Sequence, residues 1–183
     1  MRGGTGVRNY YLRDWDAVGQ RLDRINRKRA EQEFARMQKP ARRPGLRIPQ
    51  DVLTIREVYL GMPVTDLVGL GLPYEVNPGV EPWRCYYELG DPRPSQFGQV
   101  SAACRNDVVT FLSGYQLERG GSVMLLRGDP QDRISAALGP PDSVRHRSMV
   151  PYQGTIWTYS DLSLEICVDP DGIVQQLILD RVK

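Results

Sequence analysis

Two stretches of this chain, beginning at Gly61 and at Gly128, share one layout, and a repeated layout restricts the fold more tightly than any composition. The first reads Gly61-Met62-Pro63, a short helix-compatible run through Leu67, then Gly71 and Pro73. The second reads Gly128-Asp129-Pro130, a matching run through Ile134, then Gly139, Pro140 and Pro141. The second run has the clearer helix signals. Asp129 suits the N-cap, Pro130 the first helical position where a missing N–H costs nothing, and Asp132 the positive end of the dipole. Gly139 fits a left-handed C′ residue, and Pro140 prevents continuation. A helix of two or three turns is unstable alone in water, so each run has to pack on something.

The residues after each run are strand-like. Beyond the first run these are residues 83–89, 99–104 and 108–112; beyond the second, 144–149, 154–159, 162–168 and 173–180. Leu162, Leu164, Ile166 and Val168 alternate with Ser163, Glu165 and Cys167, the period of a half-buried strand. Asp169-Pro170-Asp171-Gly172 supplies a turn after it, and Arg105-Asn106-Asp107 the corresponding turn of the first stretch. The expected fold is α+β: two tandem repeats of short helix plus antiparallel sheet, over residues 50–120 and 121–183, preceded by a basic N-terminal helix within residues 1–49.

That N-terminal part has its own pattern. Trp15, Val18, Leu22 and Ile25 recur at helical spacing, and after a phase shift Ala30, Phe34 and Met37 continue the stripe. Arg21, Arg24, Arg27, Lys28 and Arg29 make it densely cationic. Lys39-Pro40 ends the helix, because proline disfavours a helical predecessor. Residues 41–49, with three arginines, two prolines and a glycine, read as an extended linker that few packing contacts cross. The first 50 residues hold 13 Lys and Arg against 5 Asp and Glu, a charge of +8; the remainder holds 11 against 17, a charge of −6. A basic arm on an acidic body implies an acidic partner for the arm, or contact between arm and body.

Gly128, Pro130, Leu138, Gly139, Pro141, Trp157, Tyr159, Asp171 and Gly172 carry a pattern of G-x-P, short helix, L-G-x-P, W-x-Y strand and closing hairpin. It resembles the SmpA/OmlA repeat, the small domain of BamE-like outer-membrane assembly lipoproteins. Gly61, Pro63, Gly71, Pro73, Trp83 and Cys104 offer a weaker first copy. Two such units in tandem look like the beta-lactamase inhibitory protein fold. The resemblance spans about residues 53 to 182 and implies a non-catalytic adaptor or inhibitor that binds proteins across its sheet. The chain departs from it in carrying the basic arm and in showing no lipid-anchor cysteine.

The residues themselves offer little catalytic apparatus. His146 is the sole histidine, and Cys85, Cys104 and Cys167 lack the spacing of a metal site. An odd number of cysteines leaves a free thiol and fits a reducing compartment. No phosphate-binding glycine loop or nucleophile elbow is present. Asp169-Pro170-Asp171-Gly172 lacks the ligand run of a calcium loop and is read as a turn. Asp66 and Asp132 are read as charges at helix starts. The chain is therefore expected to be non-enzymatic, without cofactor or metal. Trp83, Tyr86, Tyr152, Trp157 and Tyr159 are the candidate protein-binding residues, since Trp and Tyr dominate interface hot spots. Part of the aromatic set is expected to fill the core, because Trp83 and Tyr87 face away from Tyr86. The leading expectation is an adaptor or inhibitor whose sheet grips a protein while the arm docks into a larger assembly. The alternative is a component of a ribonucleoprotein or similar complex, with the arm on phosphates. No apolar run is long enough to span a bilayer. With no secretory h-region at Met1–Gly6 the cytoplasm is expected, or the periplasm or cell envelope if a leader has been removed.

Overall fold

The computed structural model describes residues 24–25, 28–29, 32, 36–38, 40–78, 84–90, 99–149 and 152–180. Among them a helix followed by four strands occurs twice. Strand β1 (Leu53–Ile55) precedes α1 (Val64–Gly69), which leads into β2 (Tyr74–Pro78), β3 (Arg84–Leu89), β4 (Val100–Arg105) and β5 (Val108–Gly114). A hairpin of β6 (Gln116–Arg119) and β7 (Ser122–Leu126) comes next. Then α2 (Gln131–Leu138) leads into β8 (Ser143–Met149), β9 (Tyr152–Tyr159), β10 (Leu164–Val168) and β11 (Val174–Asp180). Helices beside antiparallel sheets make this an α+β fold.

The eight strands that come after the helices form one sheet, in the order β2-β3-β4-β5-β11-β10-β9-β8. Each set of four is a meander, and the last strands of the two sets pair antiparallel, with Leu112 opposite Leu179 and Phe111 opposite Asp180. Strands β1, β6 and β7 form a separate three-stranded sheet. Both helices and the small sheet bury their apolar side chains against one face of the large sheet. Leu67 of α1, Ile134 of α2, Ile55 of β1 and Leu117 of β6 join Leu112, Ile166 and Leu177 in a single core. Leu67 and Ile134, at matched places in the two runs, are fully buried. Burial of such a side chain contributes about 1.5–3 kcal/mol, which is what lets helices this short persist.

The two helices are tied to their sheets by the same backbone hydrogen bonds. Gly61 N–H donates to Val109 O at 2.7 Å, Val109 N–H to Met62 O at 2.9 Å, and Val64 N–H to Asp107 O at 2.9 Å. Likewise Gly128 N–H donates to Val174 O at 2.8 Å, Val174 N–H to Asp129 O at 2.9 Å, and Gln131 N–H to Gly172 O at 2.8 Å. The Asp169–Gly172 turn closes as expected: Asp169 Oδ1 accepts the N–H groups of Asp171 and Ile173, at 3.0 and 2.9 Å.

Three expectations need correction. Pro130, not Asp129, occupies the N-cap of α2, with extended backbone and no side-chain cap. Asp129 instead accepts the Leu126 N–H at 2.8 Å and pairs with Arg133 at 3.3 Å, closing the turn from β7. Gly139 has the positive φ expected, 78°, but a ψ of −166°, outside the left-handed helical basin. The segment before β1 is not a free linker. Gln38 pairs in both directions with Tyr74 at the edge of β2, and Arg43 N–H donates to Gly69 O at 2.7 Å. Arg42 grips Glu57 with two bonds of 2.8 Å, Arg43 reaches Asp66 at 2.8 Å, and Leu46 and Ile48 pack on the core. Apolar residues placed among the arginines give this segment a surface to bury, which its Pro and Arg content obscures.

Candidate binding surfaces

Side chains alternate across a strand, so the register decides which face each residue serves. Tyr159, Trp157, Leu164, Ile166, Leu177 and Leu179 share the face covered by the helices. Tyr159 is 5% exposed and its hydroxyl donates to Gly139 O at 3.0 Å. Trp157 packs against the core and donates from Nε1 to Thr155 Oγ1 at 3.2 Å. Tyr159 thus braces the end of α2 with little surface left for a partner, and Trp157 turns to the same covered side, where it is half-buried. Tyr87 also faces the core, its ring centroid 5.9 Å from that of Tyr74. Trp83 and the side chain of Tyr152 lie outside the described residues, although Tyr152 begins β9.

Tyr86 turns to the other face, over which no described element packs. There the register sets Tyr86 beside Ala103 and Ala103 beside Phe111. The adjacent row runs Glu75, Glu88, Ser101, Ser113, Ile178, Glu165 across six strands. Tyr86, Phe111 and Ile178 are half-buried, and Ala103 between the two rings is fully buried. This open face therefore has an apolar centre with a charged margin on each side.

The margin on the β2–β3 side is acidic. Glu75 and Glu88 stand directly opposite each other, a like-charge pairing that costs energy on a sheet. Burial pushes the Glu88 carboxyl above the usual carboxylate range; a hydrogen bond from Ser101 opposes the shift and the charge of Glu75 adds to it. The margin on the β8 side is basic. Arg145 pairs with Glu165 from the neighbouring row, and Arg147 stands two places further along the strand. Burial raises the Cys167 thiol, with Arg147 opposing.

The remaining chemistry is modest. Cys85 and Cys104 are opposite one another on β3 and β4, and all three cysteines are free thiols. Burial pushes Cys104 up to about 12, so it stays protonated and packs as a small apolar group. His146 and Arg147 line a cleft of about 580 Å³ beside the Asp169–Gly172 turn. Among the described residues no three His, Cys, Asp or Glu side chains gather as a metal site. No helix among them is long and apolar enough to cross a membrane.

Of the basic arm, Arg24, Lys28 and Arg29 are helical and exposed, as are Ile25 and Arg36. Arg21 and Arg27 lie outside the described residues. Sequence reasoning missed Phe111, Ile178, Glu75 and Glu88. Each is ordinary in its own strand, and only the pairing of β5 with β11 and of β2 with β3 brings them together. No protein family, curated protein or solved structure matches this chain.

Proposed function

We propose that the chain is a non-enzymatic protein-binding adaptor or inhibitor. In this reading the open face of the eight-stranded sheet grips a protein partner, and the basic N-terminal arm docks into a larger assembly. The observation that carries it is that face: an apolar centre of Tyr86, Phe111 and Ile178 with charged margins, over which no described element packs. Half-buried aromatic and aliphatic groups ringed by charge have the anatomy of an interface core and rim. Glu88, desolvated by burial and facing Glu75, adds to it, since perturbed carboxyls concentrate where a protein meets its ligand.

The reading includes a tandem duplication. The recurring helix-and-four-strand order, the matched buried Leu67 and Ile134, and the equivalent sets of hydrogen bonds from Gly61 and Gly128 support two related units joined through β5 and β11. Two BamE-like repeats arranged as in beta-lactamase inhibitory protein are the proposed kinship.

The test is to replace Tyr86 and Phe111 by Ser in the full-length protein and compare capture of partners from native lysate. Loss of a partner with an unchanged thermal melt is the expected result. Retention of every partner overturns the reading. A second reading, in which the arm serves nucleic acid, is favoured by the exposed helical Arg24, Lys28 and Arg29. It requires binding to RNA or DNA whose logarithm falls linearly with the logarithm of salt concentration.

A further inference from the structure

We propose that the outer edge of β8 is a second interaction site, which accepts an extended strand of a partner protein bearing carboxylates at alternate positions. A sheet of eight strands has two edges, and this chain treats them differently. The β2 edge is obstructed at both ends: Gln38 pairs with Tyr74 at its start, and Pro78, which has no N–H to give, stands at its end. The β8 edge has seven residues, Ser143–Met149, and no described segment pairs with its outer side. An edge of that length with no described neighbour is a template for strand addition, with the main chain giving affinity and alternate side chains giving selectivity.

The side chains along β8 define the occupant. Arg145 and Arg147 project on the open face, Arg145 still 60% exposed while paired to Glu165. Val144 and His146 project on the other side, Val144 half-exposed and His146 lining the 580 Å³ cleft. A strand laid along this edge places every second side chain beside the two arginines, where a carboxylate forms a charge-assisted bond. The intervening side chains lie beside Val144 and at the mouth of the cleft, where small apolar or hydroxyl groups fit. A second copy of this chain is a poor occupant, because antiparallel pairing of two β8 strands sets arginine against arginine. Arg145 and Arg147 also form the basic margin of the Tyr86–Phe111 face, but strand addition uses the outer main chain of β8, which substitution of Tyr86 and Phe111 leaves untouched, so the two proposals fail separately.

The experiment uses full-length protein and a nine-residue peptide, capped at both ends, in which Glu alternates with Val. Binding is followed by calorimetry and by amide hydrogen exchange. The expected result is saturable binding that protects the amides of residues 143–149. N-methylation of the peptide in one alternating phase should abolish it, and in the other phase leave it intact, because only one set of its N–H groups faces β8. Replacing Glu by Gln in the peptide, with the protein untouched, should weaken binding at least 10-fold, and Arg145→Glu with Arg147→Glu should do the same. No binding at millimolar peptide overturns the proposal. So does binding indifferent to N-methylation in both phases, which is charge attraction without strand addition, and so does self-association of the protein through protected β8 amides.

Discussion

A Cβ built on Gly154 would stand 2.0 Å from the carbonyl oxygen of Val168, with the Asp169 Cα 3.0 Å away. The obstacle is backbone of the adjacent strand, which cannot swing aside as a side chain would. Gly154→Ala is expected to cost about 2 kcal/mol or more, since the β9–β10 pair must part to admit it. Gly139 makes a different demand. Nothing lies within 4 Å of a Cβ placed there, so the whole cost of a substitution is conformational. With φ at 78° and ψ at −166° the residue occupies a region open almost only to glycine. Gly139→Val should lose about 1–2 kcal/mol, and Gly139→Asn, which relieves a left-handed cap elsewhere, should give no rescue. Denaturant melts of the three variants check both claims; an Asn variant as stable as the parent would mean that the residue relaxes into the left-handed basin.

The elements differ in how readily sequence announces them. Strand β10 is legible because its alternation is complete, with Leu164, Ile166 and Val168 buried on one side. The β6–β7 hairpin lies outside the repeated layout and is easily overlooked, yet its signal is present. Gly120-Gly121 between apolar runs is a two-residue turn, and both glycines adopt positive φ, 58° and 76°. The hairpin at Arg56-Glu57 gives no such signal, since both residues hold positive φ, 48° and 68°, without being glycine. That turn is supported from outside: Glu118 accepts the Glu57 N–H at 3.3 Å, and Arg42 clasps the Glu57 carboxylate. The clasp has a pH signature. The Arg42 hydrogen bonds hold the Glu57 carboxyl below its ordinary range, against desolvation. A carboxyl lowered by folding stabilises the fold above its unfolded-state pKa and loses that contribution as pH falls through the folded value. Glu88 has the opposite sign. Raised by burial, its contribution is full below the ordinary carboxylate value and lost as pH rises through the folded one. Glu88→Gln should therefore stabilise the protein at pH 7 and become neutral or unfavourable near pH 4. Arg42→Gln should destabilise at pH 7, by less than about 1 kcal/mol because the pair is partly exposed, with the loss vanishing in acid. Melts of both variants across pH 3–7 decide it, and a Glu88→Gln effect independent of pH would remove the desolvation argument.

At the scale of the molecule, the question is where the arm ends and the body begins. A charge map puts the division near residue 50, because the first 50 residues carry +8 and the rest −6. Packing puts it earlier. Met37 is buried, Gln38 extends the β2 edge, and Arg42, Arg43, Leu46 and Ile48 are each fastened to the body. Gly71 shows how close the approach is: a Cβ there would meet the Arg42 backbone nitrogen at 2.5 Å. Charge is a surface property and tolerates any backbone, whereas that contact fixes the chain. Two truncations should then behave differently. Removing residues 1–36 leaves these contacts in place and should move the melting temperature by no more than about 2 °C, the scale of a sub-kcal/mol change in a chain this long. Removing residues 1–49 strips two salt bridges, the strand pairing at Tyr74 and two core-packed apolar side chains, and should cost about 3–5 kcal/mol or prevent folding. Hydrogen exchange on the shorter truncation should show the Tyr74 amide still protected by Gln38. If the 1–49 deletion melts like the full chain, the segment from Met37 to Pro49 rests on the body without stabilising it. The arm would then end where the charge division lies, near residue 50.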